Sequence, residues 1–144
     1  MVEVFGDLWT YPNADARVIT TNGTVKKNGE CVMGRGCASE AATRWPEIPK
    51  MLGDWITAQG NRVVLLTETP DGKPLYTFPV KHHWTEKADI DLIRHSAEDL
   101  AACVGNVTVV MPRPGCGNGR LKWDDVKLVL TPILDDRFHV ITFK

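Results

Sequence analysis

Apolar residues along this chain fall into short blocks that switch between strand-like and helix-like periods. Val2–Phe5 is a brief apolar run closed by Gly6-Asp7, and Arg17–Thr21 is β-branched and stops at the turn dipeptide Asn22-Gly23. Lys26–Gly29 is polar and loop-like. Cys37–Arg44 suits a helix, and Pro46 suits the first position of a second one, Glu47–Gln59, which Gly60 ends. Arg62–Thr67 is almost continuously apolar, the pattern of a strand covered by helices on both faces. Pro70-Asp71-Gly72-Lys73 predicts a turn, and Leu75–Phe78 a strand stopped by Pro79. In Ala88–Val104 the apolar positions Ile90, Leu92, Ile93, Ala97, Leu100, Ala101 and Val104 approach helical spacing. Asn106–Met111 reads as a buried strand, Trp123–Ile133 as a helix disturbed by Pro132, and Phe138–Phe143 as the last strand. The resulting order is β β α α β β α β α β, without internal repeat or linker. Strands alternating with amphipathic helices predict a three-layer α/β/α sandwich, one domain over residues 1–144.

Composition narrows this little but excludes several classes. A chain of 144 residues can bury about two-thirds of its unfolded surface and needs no disulfide or metal to fold. Its net charge of −1 argues against non-specific clamping of a nucleic-acid backbone, though a local positive pocket stays open. No apolar run approaches the ~20 residues of a spanning helix, and the N-terminus lacks a basic stretch followed by a long apolar one, so neither a membrane span nor a signal peptide is expected. Cys31, Cys37, Cys103 and Cys116 form no Cys-x-x-Cys pair and read as reduced thiols of a cytoplasmic protein.

Two glycine-rich loops carry the candidate chemistry. One is Val32-Met33-Gly34-Arg35-Gly36-Cys37-Ala38, leading into the first helix; the other is Pro112-Arg113-Pro114-Gly115-Cys116-Gly117-Asn118-Gly119-Arg120-Leu121, directly after the strand ending at Met111. In open α/β sheets ligands sit beyond the carboxyl ends of strands. Glycine lets a ligand touch the backbone, and successive N–H groups backed by a helix N-terminus can converge on phosphate oxygens. Neither loop carries the Lys-Ser/Thr ending of a P-loop or the full Gly-x-Gly-x-x-Gly dinucleotide pattern. Tight turns are the plain alternative for either loop alone. A phosphate-bearing nucleotide is the reading favoured by having both.

These residues resemble the macro domain, an ADP-ribose-binding fold. The resemblance rests on Gly6-Asp7-Leu8, on Ile19-Thr20-Thr21-Asn22, on the two glycine loops, and on Leu121-Lys122-Trp123, in order over nearly the whole chain. Phe78-Pro79-Val80-Lys81-His82-His83-Trp84 is similar to a Phe-Pro-x-Lys-x-His-Trp segment of one branch, that of the DNA ADP-ribosyl glycohydrolase antitoxins (DarG type) and the terminal ADP-ribose glutamate hydrolases. The resemblance implies a mixed central sheet of about six strands and makes Lys81 the catalytic lysine. It places Asp7 on the adenine amino group with the Leu8 N–H beside it, and Asn22 on the distal ribose. Gly34, Arg35 and Gly36 would line the diphosphate and distal ribose, with Cys116, Gly117, Asn118 and Gly119 on the other side. Val32, Met33, Pro114, Gly115 and Arg120 complete the implied ligand-binding set. No cofactor and no metal are implied. The glutamate hydrolases carry an aspartate where this chain has Gly119, and the usual two asparagines are here reduced to Asn22 beside Thr20-Thr21.

A lysine at ligand depth can stabilise charge as a glycosidic bond breaks, or attack an opened sugar as an amine. The expected function is therefore hydrolysis of ADP-ribose from a modified macromolecule, a DNA base or an acidic protein side chain, by a monomer without membrane attachment. A non-catalytic ADP-ribose reader and an ADP-ribose 1″-phosphate phosphatase are the alternatives. His82-His83 lacks a third ligand at metal-binding spacing and suits hydrogen bonding beside the pocket. Asp124-Asp125 suits a helix start, where acids complement the dipole. Trp45, Trp55, Trp84 and Trp123 are expected in core or pocket wall.

Overall fold

The computed structural model describes residues 1–143. Its elements follow the order β1 (Val2–Phe5), β2 (Ala16–Asn22), α1 (Gly36–Arg44), α2 (Ile48–Gln59), β3 (Leu65–Glu68), β4 (Pro74–Lys81), α3 (Ile90–Cys103), β5 (Val109–Pro112), α4 (Trp123–Leu130) and β6 (Phe138–Thr142). The six strands form one sheet in the order β1-β6-β5-β2-β4-β3. Five of them run parallel, and β3 pairs antiparallel with β4 at the edge, so the sheet is mixed.

Strand alternation splits the core into two layers. On one face Val18, Phe78, Val109, Met111 and Phe138 meet Ile93, Ala97 and Leu100 of α3 and Val126 and Leu130 of α4. On the other, Ile19, Leu75, Val110 and Ile141 meet Ala38 and Ala41 of α1 and Ile48 and Leu52 of α2. That is the three-layer α/β/α sandwich. Adjacent strands β2 and β5 are thus followed by helices on opposite faces, α1 and α4. A crevice opens between their carboxyl ends, the switch point where such sheets take ligands.

Three local expectations are corrected. The Arg62–Thr67 run is not a central buried strand. It contributes β3 as an edge, and Leu65 is 48% exposed. Pro79 does not stop β4, which continues to Lys81. The Thr77 N–H donates to Val64 O on the β3 side. By strand alternation the missing N–H of Pro79 falls on that same side, past the end of the β3 pairing, where no ladder bond is lost. The proline of the second helix start is Pro49 rather than Pro46, because α2 begins at Ile48.

The first strand junction is tied down by Arg17. It is 5% exposed, and its guanidinium donates to Trp9 O at 3.0 Å and to Asp71 Oδ2 at 2.8 Å, joining β2 to the β3–β4 turn. No helix among the described residues is long and apolar enough to cross a membrane.

Candidate active site

Two contiguous lobes open along the carboxyl edge of the sheet. The larger, about 560 Å³, is bounded by the ends of β2 (Thr20, Thr21, Asn22), β4 (Val80, Lys81) and β5 (Pro112), and by both glycine loops. The smaller, about 440 Å³, is bounded by Gly6, Asp7, Leu8 and Trp9 after β1, by Cys116 and Trp123, and by Ile141–Phe143 at the end of β6. Cys37, Pro112, Arg113 and Gly117 form the wall common to both. The lobes differ in charge. The larger one is lined by Lys26, Arg35, Lys81 and Arg113, with no acidic side chain among the described residues. The smaller one has Asp7 and Glu40 opposite Arg113.

The first turn of α1 lies between the lobes, with Cys37 in the wall common to both. Arg35 is the N-cap of α1, extended at φ −143, and no side chain caps the first turn. Its leading N–H groups therefore lack a side-chain cap, and Gly36, Cys37 and Ala38 line the cavity together with Gly117 and Asn118. Helix α3 is the contrast: Asp89 caps it by accepting from Asp91 N and Leu92 N. The alanine-rich stretch Cys37–Arg44 holds α1 by propensity and by burying Ala38 and Ala41.

Lys81 ends β4 and projects into the larger lobe. Its Nζ donates to Trp84 O at 3.3 Å, and its own carbonyl accepts from Asn61 Nδ2 at 2.9 Å. Burial, with help from the positive charges of Arg120 and Arg35, lowers the ammonium below the ordinary lysine range. The segment after it is pinned. The Trp84 N–H donates to Thr24 Oγ1 at 3.0 Å, and His82 Nε2 pairs with Asp89 Oδ2 at 2.9 Å.

Around the smaller lobe, Asp7 Oδ1 accepts the Trp9 N–H at 2.7 Å, and Oδ2 has no protein partner among the described residues. Leu8 is buried beside it. Cys116 lies in this lobe rather than against the larger one, and burial pushes its thiol up to about 11, so it is no nucleophile at neutral pH. Burial likewise raises Cys37, whose sulfur accepts the Thr20 N–H at 3.4 Å.

Asn22 lines the larger lobe, but its amide is engaged: Nδ2 donates to Val32 O at 2.9 Å and Oδ1 accepts from Thr24 N at 3.0 Å. It shapes the first glycine loop. Val32, Met33, Gly34, Arg35, Gly36, Gly115, Gly117, Asn118 and Gly119 all line the larger lobe. Pro114 is buried behind the second loop, and Arg120 lies outside the lining, exposed at φ 64. Gly115 takes φ 76 to make the turn. Gly119 has a different reason: a Cβ there would stand 2.5 Å from Gly115 O and 2.8 Å from the Ala88 Cβ. An aspartate at this position would not fit the loop as folded.

Sequence reasoning missed Lys26, Glu40 and Phe143, which carry no motif and come together only through the sheet order; Cys37 and Arg113 lie in the glycine-loop segments but were not among the expected ligand-binding residues. Arg113 lies over Trp123 at 4.9 Å, and its buried Nε lacks a hydrogen-bond partner among the described residues. Trp55 and Trp84 are 41% and 46% exposed, so neither is core, whereas Trp9 is buried against Trp45. Asp124 and Asp125 occupy the first turn of α4.

No family model matches the chain. It is 31% identical over 127 residues to the DNA ADP-ribosyl glycohydrolase of Mycobacterium tuberculosis, covering 82% of this chain and 36% of that protein. The chain thus spans about a third of the length of that relative. It is 26% identical over 135 residues to the ADP-ribose glycohydrolase OARD1 of Bos taurus, covering 92% of this chain and 82% of that one. Among solved structures, the macrodomain of M. tuberculosis DarG superposes with a TM-score of 0.77 at 28% identity, over 97% of this chain and 96% of the other. Thermosipho africanus DarTG in complex with ADP-ribose shares the fold, with a TM-score of 0.78 at 19% identity, over 97% of this chain and 41% of that one. With a six-stranded mixed sheet, the glycine loops at its switch point and these relatives, the chain belongs to the macro domain family and is of the DarG type.

Proposed function

We propose that the protein hydrolyses ADP-ribose from a DNA base, with Lys81 as the catalytic residue. One observation carries the reading: an ammonium of lowered basicity sits in an acid-free lobe that joins a second, acid-bearing lobe through an uncapped helix N-terminus. ADP-ribose has matching parts in matching order. Its adenine fits the smaller lobe, where Asp7 Oδ2 can accept the exocyclic amino group and the Phe143 ring offers an apolar face. Its diphosphate fits the neck, against the N–H groups of α1 and the backbone of the second loop. Its distal ribose then lies in the larger lobe beside Lys81.

The reaction is a balanced hydrolysis. Water adds at C1″, the C1″–N bond breaks with its electron pair going to the base, and the proton lost by the water ends on that base. The Lys81 ammonium stabilises the negative charge on the departing base. A two-step route through a lysine adduct would need an acid such as the aspartate that Gly119 replaces, so the direct route is favoured. The names borne by relatives, DNA ADP-ribosyl glycohydrolase and ADP-ribose glycohydrolase, support the same class. Four free thiols support a reducing, cytoplasmic setting. A single domain acting as a monomer on ADP-ribosylated DNA completes the proposal.

The test is a panel of substrates: ADP-ribosylated thymidine DNA, an ADP-ribosylated glutamate peptide and ADP-ribose 1″-phosphate. Release of ADP-ribose from the DNA is expected to exceed release from the other two. Binding of ADP-ribose without turnover of any substrate would mark a reader module instead. Cleavage of the 1″-phosphate alone would mark a phosphatase.

A further inference from the structure

We propose that the Trp84 indole is the stacking platform for the nucleobase next to the modified one. This rests on the glycohydrolase reading and adds a subsite to it. Trp84 is 46% exposed, yet it is anchored rather than loose. Its N–H is held by Thr24 Oγ1 and its carbonyl by Lys81 Nζ. The His83 ring lies beside the indole, tilted by 32° with centroids 6.2 Å apart, and His83 is itself fixed through Nδ1 to Thr85 Oγ1 at 2.7 Å. An exposed indole on a fixed backbone gives up little freedom when a ring stacks on it.

Its position selects the partner. Trp84 stands on the wall of the larger lobe with Lys81, the residue that the glycohydrolase reading sets beside the bond that is cut. Lys26 and Arg35 line the same lobe, and no acid does. An acidic peptide would use those cations but leave the indole without a partner. A nucleotide chain uses both, placing a base on the ring and its phosphates near the cations.

The experiment compares the 144-residue chain with its W84A and W84F variants on two substrates: a short oligothymidine carrying one ADP-ribosylated thymidine, and ADP-ribosylated thymidine alone. The readout is the ratio of kcat/KM on the oligonucleotide to that on the nucleoside. W84A keeps the backbone groups that hold Lys81 and removes only the ring. It is expected to lower the ratio between about 5-fold and 100-fold, as loss of one base–aromatic stack does, while W84F keeps it within about 3-fold. Equal loss on both substrates, or an unchanged ratio, overturns the proposal. So does a matching W84A loss on an ADP-ribosylated glutamate peptide, which would assign the platform to protein. Dissociation constants of both ligands, measured in parallel on K81A and on K81A/W84A, test the same ratio by binding. If the wild-type chain turns over neither substrate, the glycohydrolase reading fails, and this binding ratio still decides the stacking site.

Discussion

The Asp7 carboxylate holds the Trp9 backbone N–H at 2.7 Å through Oδ1, so one residue both shapes the turn after β1 and lines the smaller lobe. Replacing it with asparagine keeps a turn-making oxygen and removes the charged acceptor. D7N is expected to weaken ADP-ribose binding about 10- to 100-fold, the worth of a charge-assisted hydrogen bond. Ribose 5-phosphate, which lacks adenine, should bind both forms alike. Isothermal calorimetry with the two ligands measures this, and equal weakening for both would remove Asp7 from adenine recognition.

Arg120 sits outside the cavity lining, but its charge depresses the basicity of Lys81. At φ 64 it occupies backbone that glycine adopts more readily, so R120G removes the charge without straining the loop. Losing a positive neighbour favours the protonated lysine, and the Lys81 pKa rises toward the ordinary lysine value. If the ammonium is the working form, turnover falls as pH rises through that pKa. The alkaline limb of the kcat profile is therefore expected at higher pH in R120G than in the wild type. A limb that moves to lower pH, or does not move, would contradict this assignment of the charge.

Gly119 and Gly117 separate two reasons for glycine in one loop. A Cβ on Gly119 meets Gly115 O at 2.5 Å, whereas one on Gly117 meets nothing within 4 Å of protein. G119D is expected to cost about 2–3 kcal/mol, lowering Tm by roughly 5–10 °C, and to distort the pocket rather than supply a working acid. G117A is expected to keep Tm within about 2 °C and still lose ADP-ribose affinity, because its methyl occupies the neck. Thermal melts with and without ADP-ribose distinguish the two effects.

Much of the fold was legible because the apolar blocks are well separated by turn residues such as Asn22-Gly23 and Asp71-Gly72. What failed were questions of position in the sheet. The run Arg62–Thr67 is as apolar as a central strand, and only the pairing of β3 with β4 alone shows it to be an edge. Pro79 read as a stop because the sequence does not reveal which side of β4 its missing N–H faces. The glycine loops were visible as motifs, but Lys26 and Phe143 were not, since isolated charged and aromatic residues carry no spacing signal. Asn22 was expected to point at a ribose, and the fold commits its amide to Val32 and Thr24. Lys81 stood out only through the flanking Phe78-Pro79 and His83-Trp84. A lone lysine after a strand is otherwise an ordinary surface residue.

The central claim is that Lys81 makes this cleft an active site, and K81A tests it most directly. Single-turnover release of ADP-ribose from ADP-ribosylated thymidine DNA is to be measured beside ADP-ribose affinity by calorimetry. Loss of the charge that stabilises the departing base is expected to slow release at least about 100-fold, with the dissociation constant for ADP-ribose held within about 3-fold. An unchanged rate of release in a folded K81A protein would contradict the account.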